Sequence, residues 1–359
     1  MSIQPAAPGA QAAHDDDVGL ICAYRFQPGP AGDDDWPGAT GLPIGAREAA
    51  AWLAETAALD DEAPSPGLLW LHFNVAHNQA QPWLEAHAGL PDAFFDSLRG
   101  GLNSTRLERV DDVLLAVVND LQFDFGFEPS DTATLLICLE RRLIVTGRRK
   151  PLRSIDLLRQ TVRGGEPVRS SPDLLALLLR HQADMLVDLV RQITTRVDDI
   201  EDRFLAGRLD HKRARLGALR RLLVRLQRLL LPEPAALFRL LQHPPTWMDE
   251  RDTQDLRDAT EEFSVVLRDM VALQERVKLL QEEVAARINE ETSRSLFVLT
   301  IVTVLALPIN IIAGLLGMNV GGIPLAENGH GFWIIVSLIL GLTVLAAVIT
   351  LIRRRDDDR

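Results

Sequence analysis

Two long uncharged runs near the C-terminus constrain this chain more than any other feature. Leu296 to Leu316 is about 21 residues without a charged side chain, and Phe332 to Ile352 is another of about the same length. At 1.5 Å rise per residue each helix spans roughly 32 Å, close to the ~30 Å hydrocarbon thickness of a bilayer. A buried helix of a soluble core is the weaker alternative, because such helices rarely run this far without a polar face. Residues 296–316 and 332–352 are therefore read as two transmembrane helices.

The flanking charges orient them. Arg276, Lys278, Arg287 and Arg294 precede the first run, Arg353 to Arg355 follow the second, and the connecting segment has no Lys or Arg. By the positive-inside rule both termini lie in the cytoplasm. The N-terminus lacks a basic stretch followed by an apolar one, so no cleaved signal is expected. Cys22 and Cys138 each sit in an apolar, strand-like stretch and read as small core residues with no disulfide. A net charge of −12 argues against a nucleic-acid partner, since phosphate binding needs a basic face. The acids suit a protein that gathers cations, although keeping the soluble part in solution is reason enough for most of them.

The expected fold is an α/β N-terminal cytoplasmic domain, then long helices, then the two transmembrane helices. Residues 1–17 read as a disordered acidic tail, and 27–46 as a loose segment. The α/β domain covers 18–150. In it, "VGLICAYRF", "GLLWLHFN", "STRLERV", "DVLLAVVNDLQF", "TLLICLE" and "RLIVTGRR" read as strands, with helices near Ala49–Leu59, Pro82–Ala88 and Asp92–Arg99. Residues 151–252 form a helical hairpin region. There Asp173 to Leu205 precedes a very basic helix, His211 to Leu231, whose charge is expected to pair with Asp198, Asp199, Glu201 and Asp202.

Residues 253–295 form a stalk helix continuing into the membrane. Val266, Met270, Leu273, Val277, Leu280, Val284 and Ile288 recur at steps of three and four, an apolar packing seam. No Pro or Gly interrupts this run before Pro308, so one helix of about 65 residues is expected through Gly317. A rod of that length is not stable alone, and oligomerisation is expected.

Inside the first span a second stripe appears. Ser293, Leu296, Thr300, Thr303, Leu307, Asn310, Gly314 and Gly317 follow steps of 3, 4, 3, 4, 3, 4 and 3, which places them on one helix face. Polar groups in a bilayer turn toward protein or water. Periodicity leaves two readings open: a helix–helix contact in which the glycines permit close approach, or a wall of an aqueous path in which Leu296 and Leu307 are apolar constrictions.

Gly317-Met318-Asn319 ends this span and opens the loop 317–331, "GMNVGGIPLAENGHGFW" in its wider setting. At this position, after a long helix and before a last span, the Gly-Met-Asn triplet resembles the signature of CorA-type divalent-metal transporters. The following "VGGIPL" looks more like the ZntB-like zinc-transporting branch than the magnesium branch. "STRLERVDDVLLAVVNDLQFD" and "RLIVTGRRKPLRSIDLLRQ" resemble that family's soluble domain. The resemblance spans roughly residues 18 to 355. It implies a funnel-shaped homopentamer in the inner membrane, with the first span lining the pore, the second (332–352) outside it, and 353–359 as a cytoplasmic tail.

In that setting five copies of Asn319 would offer amide oxygens to the water shell of a divalent cation without stripping it. Gly317 would let backbones approach, and Met318 would pack outward. A helix C-cap is an alternative and compatible role for Asn319. The cargo implied is Zn²⁺, with Mg²⁺, Co²⁺ and Ni²⁺ as alternatives, no resident cofactor, and lipid, divalent metal ions, protons and further copies of the chain as partners. Glu327 and His330, the ionisable residues of the loop, are candidates for a metal or proton site; solvated loop positions are the simpler reading. His72 and His77 are candidates for metal contact in the α/β domain, with ordinary surface histidines the simpler reading. Glu275 and Glu282 continue the pore-facing phase down the stalk.

No G-x-x-x-x-G-K loop, dinucleotide fingerprint or nucleophile–base pair is present in the sequence, so ATP hydrolysis and enzymatic chemistry are not expected. A membrane-anchored interaction protein, in which the stripe is only an oligomer seam, is the remaining alternative to transport.

Overall fold

The computed structural model describes residues 17–27, 38–57, 66–100, 105–122, 132–207, 212–318 and 329–357. Its strands are β1 (Leu20–Phe26), β2 (Leu42–Ile44), β3 (Leu68–Asn74), β4 (Arg106–Val110), β5 (Val113–Leu121), β6 (Thr132–Leu139) and β7 (Leu143–Arg148). They form one sheet in the order β2-β1-β3-β7-β6-β5-β4, in which only the central β3–β7 pair is parallel. A parallel pair needs a crossover and cover on both faces, and β3 accordingly reads "LLWLHFN", apolar on both faces.

Helices α1 (Ala46–Ala57), α2 (Ala80–His87) and α3 (Asp92–Arg99) lie on one face, burying Trp52, Leu84 and Phe94 with Leu69, Leu71 and Phe73. The opposite face carries Trp70, Ile137 and Ile144 and is covered by α4 (Arg153–Arg163), α5 (Ser171–Leu205) and α7 (Pro232–Leu240). Between α5 and α7 runs α6 (Lys212–Leu230). β2 lies inside the segment expected to be loose. It is three residues long, contains Pro43 and is largely exposed, so it has neither the length nor the alternation of a strand signal. The start of α5 is set by a cap: the Ser170 hydroxyl accepts from Asp173 N at 3.2 Å, with Pro172 in the first turn.

The last two helices are α8 (Glu250–Leu316, 67 residues) and α9 (Gly331–Asp357). The chain divides into two compact units, one through Leu280 and one from Gln281. Along α8 the expected seam is buried at Val266, Met270, Leu273, Val277, Leu280 and Val284, and half-buried at Ile288. Among the described residues, three of the four acids at the end of α5 have ion-pair partners outside the basic helix α6, where the sequence suggested pairing. Asp198 and Glu201 both engage Arg276 of α8, and Asp199 pairs with Arg203 within α5. A partner one turn away or on a flanking helix already meets the charge, so a neighbouring basic stripe is not needed to explain it.

β5 interrupts its apolar run at Asn119-Asp120, and both are buried. The Asn119 backbone N–H donates to Glu233 Oε1 at 2.6 Å, and Gln182 Nε2 donates to the Asn119 carbonyl at 3.3 Å. Two side chains thus meet strand groups as a neighbouring strand would. Burial pushes the Glu233 carboxyl up to about 8, against the lowering effect of the Asn119 bonds, and its Oε2 has no hydrogen-bond partner. Burial likewise raises Asp120 to about 6, against bonds donated by Ser154 and Leu121.

An acid raised in the fold keeps a proton that the unfolded chain releases. Its contribution is fully present below the ordinary 4.5 and is lost as pH climbs toward about 8. The melting temperature is therefore expected to fall between pH 5 and pH 8. Glu233→Gln, which keeps the acceptor oxygen and cannot ionise, should flatten that slope and stabilise the protein at pH 8 by roughly 1–2 kcal/mol. Thermal melts across the pH range check this; an unchanged slope in the variant would show that Glu233 is ionised in the fold.

Candidate functional site

Around the C-terminal part of α8 the surface is divided by helix phase. Phe297, Ile301, Leu305, Ile312 and Leu316 are half-buried and share one face; on α9, Ile335, Val336, Ile339 and Thr343 are the half-buried counterparts. Ser293, Leu296, Thr300, Thr303, Leu307, Asn310, Gly314 and Gly317 are all exposed, on the side about 150° around the helix from that face. Leu296 is 58% and Leu307 55% exposed, values that water would not favour for so many neighbouring apolar side chains. By length and composition α8 is able to cross a membrane, and none of its most apolar 18 residues is buried. The described apolar part of α9, Gly331–Leu345, is shorter. Phe332 and Trp333 open that helix, both largely exposed, where aromatic residues favour the membrane–water boundary.

Hydroxyl geometry gives the stripe a sign. Thr300 Oγ1 donates to the Leu296 carbonyl at 2.8 Å and Thr303 Oγ1 to the Leu299 carbonyl at 2.9 Å. Each hydroxyl proton is used within the helix, so only lone pairs remain to face outward. Such a surface presents acceptor oxygens, which suit a cation or its water shell and not an anion. Gly314 adds a gap, because a Cβ there would meet nothing within 4 Å. Nothing within the chain requires glycine at that position. The Gly317 N–H donates to the Ala313 carbonyl at 2.9 Å, and Met318 is 49% exposed.

Asn319 and Glu327 lie outside the described residues. His330 is exposed in the turn before α9, and its carbonyl accepts from Ile334 N at 3.2 Å. Glu275 is exposed and pairs with Lys278 Nζ at 2.8 Å, while Glu282 is an exposed position further along α8.

His72 is not a surface histidine. It is fully buried in β3, with Nδ1 at 2.9 Å from Thr146 Oγ1, because the C-terminal end of "LLWLHFN" is covered by α4 and not open to water. His77 sits half-buried in the following turn, where its Nδ1 accepts from Gln79 N at 3.3 Å. The two are not brought together as ligands. Among the described residues no group of three or more His, Cys, Asp or Glu side chains is arranged to hold a metal ion.

Sequence reasoning did not find the buried ionisable groups, Glu233, Asp120, and the Arg148 cluster beside His72. A usable signal was present: polar pairs interrupting apolar strands, "ND" in β5 and "TGRR" closing β7.

The same architecture occurs in solved structures. The full-length CmaX protein superposes with a TM-score of 0.73 at 27% identity, covering 94% of this chain and 98% of that one. The CorA magnesium transporter of Methanocaldococcus jannaschii shares the fold, with a TM-score of 0.66 at 20% identity over 93% of this chain and 98% of that one. In sequence the chain is 29% identical to the divalent cation transporter CmaX of Pseudomonas aeruginosa over 276 residues, 76% of this chain and 83% of that protein. It is 24% identical to the zinc transport protein ZntB of Yersinia enterocolitica, over 76% of this chain and 84% of that protein. The family model described as CorA-like Mg²⁺ transporter protein matches residues 65–354, from β3 through the exposed stripe and most of α9, so the chain belongs to this family of divalent-cation transporters and is not an enzyme.

Proposed function

We propose that this chain forms a homopentamer that carries zinc ions inward across the inner membrane, along a path lined by the exposed stripe of α8. The observation that carries the reading is the stripe itself, a face of acceptor oxygens and glycines set away from the half-buried face. Polar atoms at this depth need protein or water, and copies of the stripe around an axis supply both.

In this reading the ring of Asn319 binds the hydrated ion at the outer end, with Gly317 at the closest approach and Met318 turned outward. The ion then passes Gly314, Asn310, Thr303, Thr300 and Ser293. Leu307 and Leu296 are narrow apolar positions that close by dewetting. Glu282 and Glu275 draw the cation onward at the cytoplasmic end, and α9 forms the outer layer with both termini in the cytoplasm. Oxygen acceptors without thiolate or imidazole hold zinc weakly, which suits passage and not storage. A membrane potential supplies ~2.3 kcal/mol per charge per 100 mV, hence about 4.6 for a divalent ion moving inward. Glu327 and His330 are the groups placed to relay protons where a proton gradient contributes. The description of the matched family names Mg²⁺, which makes voltage-driven magnesium entry the second reading.

Influx into proteoliposomes of Zn²⁺, Mg²⁺, Co²⁺ and Ni²⁺, with and without an inward proton gradient, tests the reading. Zinc should enter, faster with the gradient, and Asn319→Ala or Asn310→Leu should each reduce entry by about tenfold or more. Magnesium flux driven by voltage alone would transfer the chain to the second reading, and no flux of any ion in the unaltered protein would end the transport proposal.

A separate test addresses assembly. Gly314→Leu fills space that is open in the single chain and should split the oligomer or lower its mass in detergent, measured by light scattering. An unchanged oligomer would place Gly314 away from any contact between copies.

A further inference from the structure

The parallel strands β3 and β7 end beside a cluster that cation transport does not explain. Cys22, His72 and Thr146 are neighbours across β1, β3 and β7, on the sheet face covered by α4. Arg148 follows two residues after Thr146 and so shares its face.

Charge in this buried cluster is unevenly paired. Arg148 is 9% exposed; its Nη2 lies 4.0 Å from Asp156 Oδ1 on α4, while its Nε and Nη1 have no hydrogen-bond partner. Asp156 Oδ1 already accepts from Arg159 Nη1 at 3.0 Å, and Arg159 Nε is also buried without a partner. Asp156 is thus in ion-pair contact with both guanidinium groups, and Asp120 is a further negative group acting on Arg148. A buried donor without a partner costs ~1–3 kcal/mol and a buried unpaired charge more, so the arrangement is unfavourable as it stands. Exposure is graded: Arg163 is exposed, the Arg159 and Asp156 side chains are 25% and 17% exposed, and Arg148 lies deepest, a basic route from solvent along α4.

His72 supplies a complementary group. Trp70 Nε1 donates to Thr146 Oγ1 at 2.9 Å, and the Thr146 hydroxyl donates to the Leu71 carbonyl at 3.2 Å. The remaining lone pair of that hydroxyl accepts from His72 Nδ1 at 2.9 Å, which makes Nδ1 the protonated nitrogen. His72 Nε2 is then a bare acceptor, and it has no partner. Burial, with Arg148 and Arg159 nearby, holds the imidazole neutral, well below the ordinary 6.5.

We propose that Arg148, Arg159 and His72 form a binding site in the α/β domain for a protonated phosphate group. Two planar guanidinium forks donate to its oxygens, and its P–OH proton is donated to His72 Nε2. Asp156 is the resident counter-charge, which yields Arg148 to the incoming anion. Sulfate has the same shape and charge but carries no proton near neutral pH, and chloride has neither shape nor proton. Phosphate ranks above both for that reason. The phosphate is the free ion, since the monoester phosphate of a nucleotide has largely lost its last proton by pH 7.

Isothermal titration of the full-length protein in detergent at pH 7 and constant ionic strength, with inorganic phosphate, sulfate and AMP as separate titrants, tests the site. Phosphate is expected to bind several-fold more tightly than sulfate and than AMP, whose monoester phosphate carries little proton at pH 7; AMP binding as tight as phosphate would overturn the role given to the P–OH proton. Arg148→Gln and Arg159→Gln should each weaken binding about tenfold. Asp156→Asn should tighten it several-fold, a change of sign that damage to the fold does not produce and that remains readable if Arg148→Gln fails to fold. Binding of phosphate no stronger than sulfate, or weakened by Asp156→Asn, would overturn the proposal.

Discussion

The structure depends on how helix α8 is covered along its length. A helix of 67 residues is stable in water only where a stripe of its surface is buried by something else. From Leu256 to Val284 that condition is met by one apolar seam, buried at steps of three and four. Arg276 fixes the approach by holding Asp198 and Glu201 of α5 with one guanidinium. These contacts are exposed ion pairs and add little energy, but they select which helix lies beside which. Beyond Ile288 the pattern inverts, and large apolar side chains lie open on most of the circumference. One helix therefore changes from a partly buried stalk to an exposed apolar segment, and the last charged residue before that segment is Arg294.

Features with a period were legible in the sequence. The seam of α8, its extent to Leu316, the apolar strands and the free Cys22 and Cys138 follow from spacing and composition. β2 was not legible, because three residues around a proline carry no alternation. The burial of His72 was not legible either: a histidine near a strand end looks the same whether or not a helix such as α4 covers it. The partner of Asp198 and Glu201 was misjudged because proximity in sequence favoured α6, whereas Arg276 is about 75 residues away in the chain. The stripe was visible as spacing, but its chemical character was not. That came from the Thr300 and Thr303 hydroxyls, whose protons are committed to backbone carbonyls.

Buried polar groups in the α/β domain have opposite signs at two places. Glu233 and Asp120 meet at β5 with their carboxyls raised chiefly by burial, so a carboxyl here can shed its charge by taking up a proton. Arginine offers no such relief, since its proton is not lost at any physiological pH. Arg148 and Arg159 must therefore be compensated by another charge, and Asp156 supplies only one. The asymmetry between a carboxyl that can neutralise itself and a guanidinium that cannot is the physical reason the two clusters have different consequences. The first is a stability term that varies with pH; the second leaves buried guanidinium donors without a hydrogen-bond partner among the described residues.

The same reasoning bears on the cation path. A site that strips water from a divalent ion must repay a very large hydration energy with charged or soft ligands, and then holds the ion too firmly to release it. The stripe on α8 contains hydroxyl and amide oxygens and no carboxylate, thiol or imidazole between Ser293 and Gly317. On the proposed path, neutral oxygens in this arrangement would replace hydrogen bonds to the outer water layer and leave the inner shell intact. Selectivity on such a path then falls to the size and charge of the hydrated ion, for which the spacing of the helices at Gly314 and Gly317 matters more than the identity of any single ligand. On the proposed path, small residues and polar ones share one face because the first would set its width and the second would keep it wet.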